Sequence, residues 1–237
     1  MNEVILKTVN LTKVYERGGK KVHALSDVNL QINRGDYVAI MGTSGSGKTT
    51  LLNMLGCLDK PTSGSVILDG VDITKMNESE LSKIRRDKIG FVFQAFNLIP
   101  ILNAIENVEL PMECAKIPKD KRRKRARQLL NLVGLSERKE HRPHELSAGE
   151  QQRVAIARAF ANKPSIILAD EPTGNLDSKT GKHIMELLGR LNYNIGTTII
   201  VVTHDYKMAS LTGRILFLQD GRILKKEKEG TYLGRKK

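Results

Sequence analysis

The chain has 237 residues, 40% of them apolar and 27% charged, an ordinary globular composition with core enough for one large domain or two small subdomains. Its two cysteines, Cys57 and Cys114, exclude a disulfide framework or a zinc site and fit reduced thiols. A net charge of +13 admits nucleic acid, an anionic membrane surface or a nucleotide as partner, but aromatic residues are 4% of the chain and Trp is absent, which weighs against base stacking.

Met1-Asn2-Glu3-Val4 shows no basic segment leading into an apolar run, so no secretory signal is expected. The longest aliphatic stretch, Thr198–Val202, is far too short to cross a bilayer, so a membrane role is expected to run through a partner. Residues 3–41 cluster apolar residues around turns at Gly18-Gly19 and Arg34-Gly35-Asp36, which predicts antiparallel strands feeding a strand over Tyr37–Met41.

Gly42-Thr43-Ser44-Gly45-Ser46-Gly47-Lys48-Thr49 follows that strand and leads into an apolar helix, Thr50-Leu51-Leu52-Asn53-Met54-Leu55. Strand, Gly-rich loop and helix in this order form the context of a phosphate-binding P-loop, and they weigh against the plain alternative of a flexible Gly/Ser turn. The glycines let backbone N–H groups curl around phosphate oxygens, and the helix beginning near Lys48 points its positive end at the same anion. Gly42 through Thr50 are the expected nucleotide-binding residues. Lys48 would neutralise the β- and γ-phosphates, and the Thr49 hydroxyl would take one Mg²⁺ position.

Ser65–Leu68 predicts a short strand, residues 78–88 a helix, and Ile89–Phe93 a strand ending at Gln94. Residues 95–145 change character: Pro100, Pro111, Pro118 and Pro143 punctuate helical patterns, and no strong strand appears. Here lies the run Lys121-Arg122-Arg123-Lys124-Arg125-Ala126-Arg127, read as an exposed helix face near a membrane or partner rather than a nucleic-acid groove. Lys225, Lys226, Lys228, Arg235, Lys236 and Lys237 add charge at the C-terminus. Glu140-His141-Arg142-Pro143-His144-Glu145 offers metal-type side chains without a fourth well-spaced ligand and reads as a loop.

From Ser147 the pattern alternates: a helix over Glu150–Asn162, a strand over Ser165–Ala169, a helix over Lys179–Leu191 and a strand over Thr197–Val202. Strands alternating with helices imply a parallel sheet covered on both faces. Ile166-Ile167-Leu168-Ala169 delivers Asp170 and Glu171 to its C-terminal end. With a P-loop upstream, Asp170 is placed for Mg²⁺, directly or through water, and Glu171 to polarise the water that attacks the γ-phosphate. The alternative is an acidic pair capping the next helix.

Leu146-Ser147-Ala148-Gly149-Glu150-Gln151-Gln152-Arg153 opens an amphipathic helix, and a helix N-terminus of this kind is a second anion site that another chain could use. Together these motifs resemble an ATP-binding cassette ATPase, with Leu146–Glu150 in the place of its signature sequence. The resemblance implies an α/β P-loop NTPase core with a mostly parallel sheet, an N-terminal antiparallel β subdomain and a helical signature subdomain. The whole of 1–237 is then one domain, with about 1–94 and 162–237 as core and about 95–161 as the helical part. It implies ATP and Mg²⁺ as ligands and a head-to-tail dimer in which Ser147 and Gly149 of one copy close over ATP on the other. Gln94 resembles the glutamine that contacts Mg²⁺ or the attacking water, Gly174-Asn175-Leu176-Asp177 the loop at the dimer seam, His204 the histidine that contacts the γ-phosphate, and Tyr15 the aromatic that stacks on adenine. The expected catalytic set is therefore Glu171, His204, Gln94 and Lys48.

Two signature residues depart from the family's Leu-Ser-Gly-Gly-Gln. Ala148 would make a φ > 0 conformation costly, and Glu150 brings negative charge toward the phosphates or else improves the helix N-terminus. Gly56-Cys57-Leu58-Asp59-Lys60-Pro61, Phe93–Pro100 and Glu106-Asn107-Val108-Glu109-Leu110-Pro111 are similar to the branch holding macrolide-export and lipoprotein-release ATPases. That implies a separate membrane permease received around Gln94–Glu113, a place on the cytoplasmic face of the membrane, and no specific nucleic acid. A soluble cassette acting on DNA or ribosomes would be expected to carry a coiled-coil insertion or two linked cassettes. A P-loop kinase would have no use for Leu146–Gly149.

Overall fold

A computed structural model describes residues 3–229, without the side chains of Arg17 and of residues 225–229. Arg235, Lys236 and Lys237 of the basic C-terminus lie outside the described residues, as do Met1 and Asn2.

β1 (Val4–Arg17) and β2 (Lys20–Asn33) form a long antiparallel hairpin, turned at Gly18 and Gly19 as predicted. β3 (Tyr37–Met41) runs into the Gly-rich loop and α1 (Lys48–Leu55). β4 (Ser63–Leu68) and β5 (Val71–Asp72) return to β1, giving a four-stranded antiparallel sheet in the order β2-β1-β4-β5. α2 (Glu78–Lys88) and β6 (Ile89–Phe93) have the predicted bounds. An Asn77 side chain accepting from the Glu80 N–H starts α2 with a capping box.

α3 (Ala104–Cys114) and α4 (Lys119–Leu132) fill the Pro-punctuated segment, with Pro118 capping α4 and Pro111 inside α3. α5 (Ala148–Ala159), β7 (Ile166–Asp170), α6 (Ser178–Ile195) and β8 (Thr198–Thr203) follow. α5 starts two residues before its predicted beginning because Ser147 and Glu150 cap each other. α6 outruns its prediction at both ends because Asp177 accepts from the Lys179 and Thr180 N–H groups and left-handed Gly196 stops it. α7 (Tyr206–Ala209), β9 (Arg214–Gln219) and β10 (Arg222–Glu229) stand outside the predicted elements, as does β5. β9 and β10 turn on Asp220-Gly221, both left-handed, as a two-residue hairpin requires.

The second sheet has the order β10-β9-β3-β8-β7-β6, with every neighbour parallel except the β9–β10 hairpin. Its central strands are buried on both faces. In β7, Ile166 and Leu168 join a core with Leu51 and Leu55 of α1 and the apolar face of the antiparallel sheet. Ile167 and Ala169 join another with Val154, Ile184 and Leu188 of α5 and α6. Asp69 ties the layers together: its carboxylate accepts from Arg34 (2.7 Å), Ser165 (2.8 Å) and Lys88 (3.1 Å).

The basic run corrects its prediction in part. It lies on α4, but Arg122 turns to Glu113 (3.1 Å), Arg123 to Glu109 and Glu140, and Arg125 to the Phe160 carbonyl (3.3 Å). Only Lys121, Lys124 and Arg127 face outward, because helical spacing divides the run between two faces. Glu140 is held by Asn103 and Arg123, and His141 by Arg138. Cys57 is buried, which pushes its thiol up to about 11.

Candidate active site

The ends of β3, β7 and β8 lie side by side, with Met41 opposite Thr203 and Asp170 opposite Val202. Their C-terminal ends therefore deliver the Gly-rich loop, Asp170-Glu171 and His204 to one edge of the sheet, where α/β folds bind ligands. A groove of ≈ 840 Å³ there is lined by Gly42, Thr43, Ser44, Glu171 and His204, with Phe217, Leu218 and Leu224 on its apolar wall.

The loop has the shape and charge to receive an anion. Gly47, the N-cap of α1, has φ 102, and a Cβ there would collide with the Ala24 carbonyl oxygen. The Ser46 hydroxyl is buried without a hydrogen-bond partner. Lys48 is buried, and its ammonium donates to the carbonyls of Gly42 and Thr43, both at 2.9 Å, so its charge lies inside the loop. An orphaned hydroxyl, a left-handed glycine and a buried cation fit a phosphate chain. Thr50 directly follows Thr49 on α1.

Burial pushes the Asp170 carboxyl above the usual carboxylate range, and Glu171 adds to this; a hydrogen bond from Thr49 and the Lys48 charge pull the other way. Thr49 and Asp170 are thus in contact, and a divalent cation between them would offset the cost of burying the carboxylate. Glu171 has φ 42, a left-handed conformation that costs a non-glycine residue about 1–3 kcal/mol. It is held there by its N–H to Val202 O (3.0 Å), and its carboxylate meets His204 Nδ1 at 2.9–3.0 Å. Gln94 pairs with Asn175 in both directions, its side-chain amide donating to Asn175 Oδ1 (3.1 Å) and its backbone carbonyl accepting from Asn175 Nδ2 (3.0 Å).

Other predicted residues lie outside the groove lining, although the Tyr15 side chain reaches Thr50 at the start of α1. Ser147 caps α5 and Gly149 is buried against Thr180, and neither lines the groove. Tyr15 is partly exposed on β1; its hydroxyl donates to Asp59 (2.9 Å), and Lys13 lies 4.8 Å from its ring centre. Ala148 has no positive φ, so the cost foreseen for it does not arise: it occupies the first helical position, where alanine is favourable. Glu150 points back. Its carboxylate accepts from the Ser147 N–H (2.9 Å) and hydroxyl (2.8 Å) and lies 3.6 Å from Arg138, and the Ser147 contacts hold it below its ordinary range.

Two residues of the site stand outside the predicted set. Gln152 and Arg158, both on α5, grip the backbone around Gln94. The available signal was a polar residue, Gln152, four positions before Ile156 on the inward face of the helix.

Residues 25–174, more than half of the chain, match the family model described as ABC transporter. The chain belongs to the ABC transporter family. Over 94% of its length it is 54% identical to an uncharacterized ABC transporter ATP-binding protein of Methanocaldococcus jannaschii, MJ0796, of which it covers 97%. It is 50% identical over 93% of its length to the macrolide export ATP-binding/permease protein MacB of Brucella melitensis, and spans about a third of that longer protein (34%). Among solved structures, a dimeric post-hydrolysis state of MJ0796 bound to ADP and Pi superposes with a TM-score of 0.86 at 52% identity, covering 95% of this chain and 98% of that one. The α/β cassette fold and an ABC transporter ATPase subunit are the outcome. Among the described residues, no helix is long and apolar enough to cross a membrane.

Proposed function

We propose that this ABC ATPase subunit hydrolyses ATP at a site shared between two copies and drives a separate permease from the cytoplasmic face of the membrane, in the direction of export or extrusion. The observation that carries the reading is Glu171, held in a left-handed conformation against His204 in the groove that also contains the Gly-rich loop. The MJ0796 dimer with ADP and Pi supports the two-copy site, and the ATPase–permease name of MacB supports the membrane partner. We take about 1–94 and 162–237 as the nucleotide-binding core, and about 95–161 as the helical part that receives the permease around Gln94–Glu113.

In this scheme Gly42–Thr50 bind the ATP phosphates through backbone N–H groups and the Lys48 ammonium, and Tyr15 stacks on adenine. Thr49, Asp170 and Gln94 would hold Mg²⁺, which supplies charge neutralisation for the phosphates. Glu171 takes a proton from water, whose oxygen forms a bond to the γ-phosphorus as the bond to the bridging oxygen of ADP breaks. His204 keeps the Glu171 carboxylate oriented and meets the γ-phosphate. Ser147 and Gly149 serve the partner copy's ATP, since they stand away from the groove of their own chain.

Glu171→Gln tests the scheme. It keeps the shape and removes the base, so hydrolysis should fall about 10²–10⁴-fold. Binding should persist and trap a dimer in light scattering with saturating ATP. A variant that stays monomeric, or one that hydrolyses ATP at a rate near the parent's, sinks the assignment.

A further inference from the structure

We infer that Gln152 is a positioning residue for hydrolysis, the strut by which α5 sets the backbone beside both Gln94 and Glu171. The inference rests on the roles proposed above for those two residues.

β6 and β7 are paired in parallel up to Phe93 opposite Asp170, and there the ladder ends. The next residues are Gln94 on one strand and Glu171 on the other, so the two functional side chains sit one step beyond the last β6–β7 pair, with only the Glu171 N–H still bonded to Val202 O of β8. Gln152 closes that gap. It is fully buried, and its amide nitrogen donates to Pro172 O at 2.5 Å and Phe93 O at 3.3 Å. One carbonyl belongs to the residue before Gln94, the other to the residue after Glu171. With two carbonyls facing it, the amide can present only its nitrogen.

Two features show that this contact holds something against resistance. Glu171 has φ 42 directly before Pro172, although a residue preceding proline favours an extended backbone. The Gln152 side-chain oxygen is buried without a hydrogen-bond partner, so the amide keeps its two carbonyls while its other end goes unsatisfied. Arg158, nearly two turns further along α5, donates to Phe96 O (2.8 Å) and Asn97 O (2.5 Å), both left-handed residues. Arg158 therefore grips only the far end of the Gln94 segment, whereas Gln152 reaches both strand ends. Because Ser147 and Gly149 head the same helix, a displacement of its N-terminus by a partner's nucleotide reaches Gln94 and Glu171 together through this one side chain.

The test uses the full chain with Gln152→Met, which keeps the length and removes the donor, Gln152→Asn, which keeps the amide one methylene short, and Glu171→Gln as control. Gln152→Met is expected to bind a fluorescent ATP analogue within twofold of the parent and melt close to it, while kcat falls at least tenfold at unchanged KM. Combined with Gln94→Ala, it should cost less than the product of the two single losses. A parent-like kcat, a multiplicative double variant, or affinity and melting that fall together with kcat overturns the inference. Should Gln152→Met not fold, Gln152→Asn decides: lowered kcat at unchanged KM supports the strut, and parent-like kcat removes it. Parent-like hydrolysis by Glu171→Gln would instead show that the underlying assignment of the base is wrong, whatever the Gln152 variants do.

Discussion

Gly47 is the position where the P-loop and the antiparallel sheet touch, and substituting it with alanine separates two costs. The first is conformational: at φ 102 an L-residue is strained by about 1–3 kcal/mol. The second is steric, since a Cβ would run into the Ala24 carbonyl on β2 and sit 3.2 Å from Leu25 Cδ2, an overpacking worth about 1–3 kcal/mol. Gly45→Ala is the control. Its φ of 81 carries the first cost, but no heavy atom lies within 4 Å of the added Cβ, so the second is absent. Gly47→Ala should therefore lose about 2–6 kcal/mol in urea unfolding and exceed Gly45→Ala by about 1–3 kcal/mol. It should also weaken ATP binding in a fluorescence titration, because relief of the contact moves either β2 or the loop. Equal unfolding midpoints for the two variants would refute the claim that β2 braces the loop.

Asp69→Asn should lower stability by about 2–3 kcal/mol at pH 7, since charge-assisted bonds from Arg34, Ser165 and Lys88 become neutral ones. Burial works against the Asp69 charge, but those three partners outweigh it and leave its carboxyl below the ordinary value. A lowered folded-state value means that the contribution is complete above the unfolded value of about 4 and is lost as pH falls through the folded one. The gap between variant and parent in unfolding midpoint should thus be constant from neutrality to about pH 5 and close below about pH 4; a gap that widens in acid contradicts this. At the signature, Ala148→Gly should destabilise by no more than about 1 kcal/mol in thermal melts, since Ala148 is already helical. Glu150→Ala should cost about 0.5–2 kcal/mol through the lost capping box. A more stable glycine variant would mean that Ala148 is strained after all.

Much of the site was legible along the chain because its chemistry is carried by local patterns. A P-loop is contiguous, its glycines and Lys48 are next to one another, and an apolar strand ending in Asp170-Glu171 announces both burial and exposure within six residues. The same holds for α2 and β6, whose Asn77 cap and apolar run bound them correctly. β9 and β10 carry their own local signal, Asp220-Gly221 between apolar runs, which suits a two-residue hairpin. The basic run misled because charge counts ignore helix faces: Arg123 and Arg125 turn inward to Glu109 and Phe160, partners that only packing brings near.

The sequence by itself determined the nucleotide loop, most of the order of strands and helices up to β8, the acids at the end of β7 and the signature helix, since each depends on neighbours within a few residues. Tertiary structure alone decided how the pieces hold one another. It set Glu171 left-handed against His204 and bridged Phe93 and Pro172 through Gln152, residues 59 and 20 positions apart from it in the chain. The reason is physical: an unpaired strand end has no ladder to orient it, and the groups that take over that task come from wherever the chain folds back.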